Sequence, residues 1–229
     1  MIRAIAIDID GTMTYEDRRL DIAAVEAVRR AEREGFPVII STGNILCFAE
    51  AVAILLGTSG PLIAEDGGIV FDRASQREFV LGSRVEAERG LSALRREFGE
   101  VKQTRSSWMR LTGLTIAPGS IDVRLAMKIF SREGLSLVAV DSGFAIHIKD
   151  PYVNKGNALR KVAQILGITL PEIAAIGDAP NDLEMLKLAG LSFAVANSHE
   201  AVKRNVNHVT SKPYGEGVAE AIEKIISLR

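Results

Sequence analysis

The sequence predicts an α/β fold: a Rossmann-like parallel-sheet core interrupted by a small α+β insert. Three observations lead there. Short apolar runs of strand length alternate with segments of helical period up to Ala64, and the alternation resumes after Asn154. Two of these runs, far apart in the chain, each lead into a pair of aspartates: residues 2–7 precede Asp8 and Asp10, and residues 172–176 precede Asp178 and Asp182. Between about Leu81 and Asp150 the order becomes helix, two strands, helix, two strands, as in a small layer with an antiparallel sheet.

In chain order, the run 2–7 is the first strand. Ile22, Val25, Val28 and Ala31 recur at helical spacing and predict a helix over 20–34, stopped by Gly35. Residues 36–40 form the next strand, Ser41-Thr42-Gly43-Asn44 the loop after it, and 45–56 a helix ended by Gly57. A third buried strand covers 61–64, and 69–71 pairs with 78–80 as a hairpin beyond the Asp66-Gly67-Gly68 turn. In the insert a charged helix covers 84–98, strands cover 101–104 and 110–117, and a helix over 120–132 takes Ser120 as N-cap with Gly134 past its end. A hairpin of 136–140 and 144–149 closes the insert. The returning pattern is helix 154–166, strand 173–176, helix 181–188, strand 191–195, a short helix 199–205, a short strand 208–210 and a closing helix 218–228. Residues 1–80 and 151–229 are thus expected to form the core, and 81–150 a lid inserted into it.

Composition narrows the function. The 229 residues suffice for one large domain or a domain with a smaller insert. Lys+Arg 28 against Asp+Glu 29 leaves a net charge of −1, which argues against a general nucleic-acid footprint. A lone cysteine, Cys47, forms no internal disulfide; it lies on an apolar helix and is expected in the core. No cationic leader with an apolar segment precedes the first strand, and no uncharged run is long enough to span a bilayer, so a cytoplasmic location is expected. His147, His199 and His208 lack metal-ligand spacing and are read as structural, and Gly215-Glu216-Gly217 as a loop.

The aspartates carry the chemistry. Carboxylates at the ends of parallel strands face the crevice where open α/β sheets bind ligands. Several anionic groups there repel one another unless a cation joins them, and a hard cation with oxygen ligands, above all Mg²⁺, fits Asp8, Asp10, Asp178 and Asp182, the last as a ligand or from behind the ligands. A carboxylate such as Asp8 can attack phosphorus and form an aspartyl-phosphate. A second acid two residues on, Asp10, can protonate the leaving alkoxide and then deprotonate the attacking water. Ser41, Thr42 and Gly43 offer hydroxyls and backbone N–H groups to an anion, and Lys155 can hold phosphate and nucleophile as a point charge. The same residues have structural readings: turn and cap positions for Asp8, Asp10 and Ser41, a helix cap for Asp178, a dipole partner for Asp182, a solvated helix position for Lys155.

All four elements together resemble the signature motifs of the haloacid dehalogenase superfamily: Asp8-Ile9-Asp10-Gly11-Thr12, Ser41-Thr42-Gly43, Lys155, and Gly177-Asp178 through Asp182, in that order over almost the whole chain. The insert between the second and third motifs is similar to the C2-type cap of the Cof-like branch, and the nearest resemblance is to its archaeal-type phosphoglycolate phosphatase group. That resemblance implies a Mg²⁺-dependent phosphatase acting on a small phosphomonoester, 2-phosphoglycolate first, with Asp8 as nucleophile and Asp10 as acid/base; the sequence does not fix the oligomeric state, and a homodimer through lid or core surfaces is one expectation. The alternatives are a sugar-phosphate phosphatase or phosphomutase, and a non-catalytic ligand-binding protein of the same fold. One departure stands out: many relatives carry arginine after the motif-two glycine, where this chain has Asn44, and an amide supplies no charge.

Overall fold

The structure is a computed structural model that describes residues 1–228. The first half of the core comprises β1 (Ala4–Asp8), α1 (Ile22–Arg33), β2 (Val38–Ser41), α2 (Leu46–Leu56), β3 (Leu62–Ala64), β4 (Ile69–Asp72) and β5 (Arg77–Val80). The insert comprises α3 (Arg84–Phe98), β6 (Gly113–Ile116), α4 (Val123–Arg132), β7 (Val138–Asp141) and β8 (Ile146–Lys149). The chain returns through α5 (Lys155–Leu166), β9 (Ile173–Gly177), α6 (Leu183–Leu188), β10 (Leu191–Ala194), α7 (Glu200–Lys203), β11 (His208–Val209) and α8 (Tyr214–Ser227).

Among the described residues, eight strands form one sheet in the order β11-β10-β9-β1-β2-β3-β4-β5. The strands from β11 to β3 run parallel, and β4 and β5 add an antiparallel edge. Chain order reverses at β1, with β2 and β3 on one side and β9 to β11 on the other. Such a switch point opens a crevice at the C-terminal strand ends. Strand alternation divides the core in two. Ile5 and Ile7 pack with Val28, Ala49 and Ile222 on one face, while Ala4 and Ala6 join Leu159, Val162 and Met185 on the other. Among the described residues no helix is long and apolar enough to cross a membrane.

The insert is a cap: an antiparallel sheet in the order β6-β8-β7 with α3 and α4 on one face. Ile146 and Ile148 enter its core with Phe130 and Leu94. The alternate positions of β8, His147 and Lys149, lie outside that cluster and are buried against the main domain. The cap is tied down at Glu65, whose carboxylate accepts from the backbone N–H of Leu111 and Thr112, both at 3.0 Å, and from the Thr112 hydroxyl at 2.7 Å. Glu65 and Asp66 both adopt left-handed backbone, with φ of 53° and 56°. Each such residue costs on the order of 1–3 kcal/mol, a strain characteristic of functional junctions.

Several local expectations need correction. Residues 101–104 do not form a strand; only Gln103 bridges to Ile116, so the cap sheet has three strands rather than four. Asp122, not Ser120, caps α4, because its carboxylate reaches the N–H of Leu125 while the Ser120 hydroxyl turns back to the carbonyl of Ala117. The helix expected over 181–188 opens instead as a 3₁₀ turn, Pro180–Asp182, before α6. Gly215 and Gly217 lie in the first turn of α8, where side chains would collide with Asp21 and with the carbonyl of Lys212. Cys47 is exposed rather than in the core.

The packing of α5 on α6 sets the position of Lys155. A Cβ at Gly156 would sit 2.8 Å from backbone atoms of Glu184. Gly156→Ala is therefore expected to push the two helices apart, costing roughly 1–3 kcal/mol. Thermal unfolding should report a lower Tm, and the displaced Lys155 should lower activity beyond what the loss of folded protein explains.

Candidate active site

The crevice gathers the acids expected from the sequence. Asp8 ends β1 and is buried. Asp178 follows β9, and its Oδ1 accepts from the Thr12 hydroxyl at 2.7 Å. Gly11 makes this approach possible: its φ is +84°, and an added Cβ would lie 2.5 Å from Asp178 Oδ2. Asp8, Asp178 and Asp182 each offer a carboxylate oxygen within 4.8 Å of the others, a donor set that fits a hard divalent cation. Asp182 already has partners for both oxygens: Oδ1 accepts from Lys155 at 2.6 Å, and Oδ2 from the N–H groups of Asp178 and Ala179 at 3.1 Å.

Lys155 joins these acids. It opens α5 behind the Asn154 cap, has no solvent exposure, and donates to Asp8 Oδ1 at 2.5 Å as well as to Asp182. Burial alone would lower its pKa; Asp182 and Asp8 outweigh that and raise it, so the side chain is a fixed ammonium. Asp8 is pushed upward by burial and by Asp182, Asp178 and Asp10, against the pull of Lys155. Asp178 is pushed up to about 7, by burial first and then by Asp182. One ammonium does not balance this crowd of carboxylates, and a cation or a proton completes it.

Asp10 sits apart from this group, beyond the end of β1. Its Oδ1 accepts from Arg18 Nε at 2.9 Å and its Oδ2 from Asn44 Nδ2 at 2.6 Å. Asn44 is in turn fixed by Thr42, whose hydroxyl accepts from both Asn44 nitrogens, at 3.1 and 3.2 Å. Thr42 is thus buried and occupied, whereas the Ser41 hydroxyl, paired in register beside Asp8, is buried with no hydrogen-bond partner among the described residues. That hydroxyl keeps unused hydrogen-bonding capacity at the strand end, although it has no solvent exposure. Gly43 lies on the wall of the cavity.

That cavity, about 570 Å³, lies between core and cap. Asp8, Asp10, Asp178 and Gly43 line one side, and Arg110, Ser142, Phe144 and His147 of the cap line the other. Arg18 borders it, with its guanidinium 5.8 Å from the Phe48 ring of the core and 5.3 Å from the Phe144 ring of the cap. At the cap junction Asp66 Oδ2 meets His147 Nδ1 at 2.5 Å, Arg110 at 3.8 Å and Lys149 at 3.9 Å. Burial would raise Asp66, but His147, Lys149 and Arg110 together hold its carboxyl well below the usual range.

The sequence marks Asp66 only as a turn residue and His147 as structural, and gives Arg18 and Arg110 no role; the structure brings Arg18, Arg110 and His147 to the cavity and Asp66 against His147. Of these, His147 leaves a trace in the sequence: with Lys149 it forms a polar stripe on alternate positions of an otherwise apolar strand. Arg18 and Arg110 lie in loops without periodicity, and no local signal distinguishes them from surface arginines.

A buried lysine, three carboxylates that could hold a cation and a fourth acid nearby thus gather at one switch point of a doubly wound α/β sheet. Residues 5–88 and 124–222 match the haloacid dehalogenase-like hydrolases, and the chain belongs to that family. It is 43% identical over 227 residues to a phosphoglycolate phosphatase of Methanothermobacter thermautotrophicus, covering 98% of this chain and 99% of that protein. A phosphoglycolate phosphatase of Archaeoglobus fulgidus is 41% identical over 227 residues, covering 99% and 98%. A crystal structure from Thermoplasma acidophilum aligns with a TM-score of 0.89 at 28% identity, covering 100% of each chain.

The raised Asp178 has a measurable consequence. Its pKa is higher in the folded protein, about 7, than the ordinary 3.8, so the native state binds more protons between those values. The stability it contributes is present at low pH and lost as pH rises through about 7. A divalent cation competes with that proton. The rise in Tm on adding Mg²⁺ should therefore be larger at about pH 8 than at about pH 5. Equal shifts at both would place the titrating group elsewhere.

Proposed function

We propose that the chain is a Mg²⁺-dependent phosphatase that hydrolyses 2-phosphoglycolate through an aspartyl-phosphate on Asp8. The carrying observation is the Asp8 carboxylate itself. Its Oδ1 is held by Lys155, its Oδ2 accepts from no described residue, and Asp8 lines the cavity together with Asp178. Full-length similarity to phosphoglycolate phosphatases supports the substrate. Size alone would admit a phosphosugar, but a wall carrying Arg110 and His147 favours a substrate with a second negative group.

In this reading Asp8 and Asp178 hold the metal directly, with the Asp10 backbone carbonyl beside them, and Asp182 acts from behind by fixing Lys155 and the backbone at Asp178. Bound Mg²⁺ would neutralise negative charge at the phosphate and at Asp8. Lys155, the Ser41 hydroxyl and the backbone around Thr42 and Gly43 hold the remaining phosphate oxygens. Asp8 Oδ2 forms a bond to phosphorus as the ester P–O bond breaks. Asp10 gives its proton to the departing alkoxide, which leaves as glycolate. Asp10 then takes a proton from water, whose oxygen attacks phosphorus, and phosphate leaves Asp8. Asn44 and Arg18 orient Asp10 for both halves. A catalytic acid/base beside the nucleophile favours this reading over a non-catalytic binding protein. Residues 81–150, acting as the cap, exclude bulk water during transfer.

Phosphate release from 2-phosphoglycolate, with and without chelator, tests the reading. Asp8→Asn should abolish turnover while leaving the fold largely intact by circular dichroism. Asp10→Asn should slow turnover by about 10²–10⁴-fold and retain Mg²⁺ binding. Full activity in excess chelator, or an active Asp8→Asn protein, would refute the assignment.

A further inference from the structure

We propose that Arg110 and His147 of the cap form the subsite for a second anionic group of the substrate, a carboxylate close to the phosphoester carbon, and that Asp66 of the core positions both. The inference rests on the phosphatase reading above and extends it: the subsite selects phosphorylated carboxylic acids as a class.

Location comes first. Arg110 donates to the carbonyl of Gly43 at 2.8 Å. Gly43 follows the orphaned Ser41 hydroxyl by two residues. A Cβ added at Gly43 would lie 2.8 Å from Asp66 Oδ1 and 3.3 Å from His147 Cε1. Arg110 and His147 therefore stand directly against the loop that would cradle phosphate, on the side toward which the rest of a short substrate extends. Both line the cavity, whereas Lys149 lies behind them.

Charge and burial point the same way. The side chains of Arg110 and His147 are only 4% and 9% exposed. A buried cation needs an anion. Asp66 is shared among three basic groups, with contacts of 3.8 and 3.9 Å to Arg110 and Lys149 that are too long for hydrogen bonds. Glu65, the other buried acid here, is occupied by Leu111 and Thr112. Arg110 thus retains donors, in the planar fork that matches a carboxylate. His147 turns Nδ1 to Asp66, which directs Nε2 toward Ser142 Oγ, 3.2 Å away on the cavity wall. Asn181 steadies the other Asp66 oxygen at 3.1 Å. Asp66 comes from the core and the basic groups from the cap, so the subsite is complete only when the cap is seated. Arg18 also borders the cavity, but its side chain is 42% exposed and its Nε already donates to Asp10, so it needs no further anion.

The test compares 2-phosphoglycolate with ethyl phosphate, which keeps the two-carbon chain and lacks the carboxylate. Wild-type protein should favour 2-phosphoglycolate in kcat/KM. Arg110→Gln and His147→Gln should each lower that preference by roughly tenfold or more, chiefly through KM, and Arg110→Lys should recover part of it. For a variant too slow to assay, the Tm increase given by phosphonoacetate relative to ethylphosphonate reads the same preference without turnover. Wild-type phosphatase activity with no preference for the carboxylate would overturn the substrate reading, and the subsite with it. An intact wild-type preference that survives in both variants would overturn the subsite alone, since a merely loosened cap slows both substrates together. Loss of preference only in Arg18→Gln would likewise overturn it.

Discussion

The site is organised around a buried ammonium shared by two carboxylates. Lys155 Nζ lies between Asp8 and Asp182 with no exposure to solvent. Removing such charges from water costs several kcal/mol per ion, which is offset here because both acids accept from the same nitrogen and the second oxygen of Asp182 accepts from two backbone N–H groups. The consequences run outward through the fold. The lysine fixes which oxygen of Asp8 remains available to the cavity. Asp182 links it to the backbone at Asp178. Gly156 lets α5 approach α6 closely, at the helix start that brings the ammonium between Asp8 and Asp182.

The two layers divide the work by charge. The core supplies an excess of carboxylates at the strand ends, a field suited to a metal and to proton transfer. The cap supplies Arg110, Lys149 and His147, suited to an anion. Asp66 is the core's contribution to the cap's cluster, and it is held in left-handed backbone next to Glu65, the residue that anchors the junction. A strained pair that grips the cap from two sides gives closure a structural meaning: seating the cap and building the anion-binding wall are the same event.

Much of this was legible in the chain. Strand alternation and the two Asp pairs located the core and four acids at its strand ends, because buried parallel strands must be apolar and anything charged at their ends is conspicuous; the strand order, and with it the switch point, came only from the fold. Lys155 was legible for the same reason, at a helix start after a change of pattern. What stayed hidden depends on tertiary approach. Arg18 comes from an irregular loop and becomes meaningful only when Asn44 and Phe144 meet it. His147 faces Asp66 across the domain junction, 81 positions away in sequence, a pairing that no local spacing encodes. The missing fourth cap strand has a similar cause: residues 101–104 have strand-like composition, yet only one bridge to β6 forms.

In the proposed reaction Asp8 becomes covalently phosphorylated while Lys155 keeps its other oxygen. The most direct test is a crystal structure with Mg²⁺ and beryllofluoride, a mimic of the phosphoryl group. The account predicts beryllium bonded to Asp8 Oδ2, Mg²⁺ touching Asp8 and Asp178, and the Lys155 contact to Oδ1 retained. Beryllofluoride on another residue, or Mg²⁺ bound away from Asp178, would contradict it.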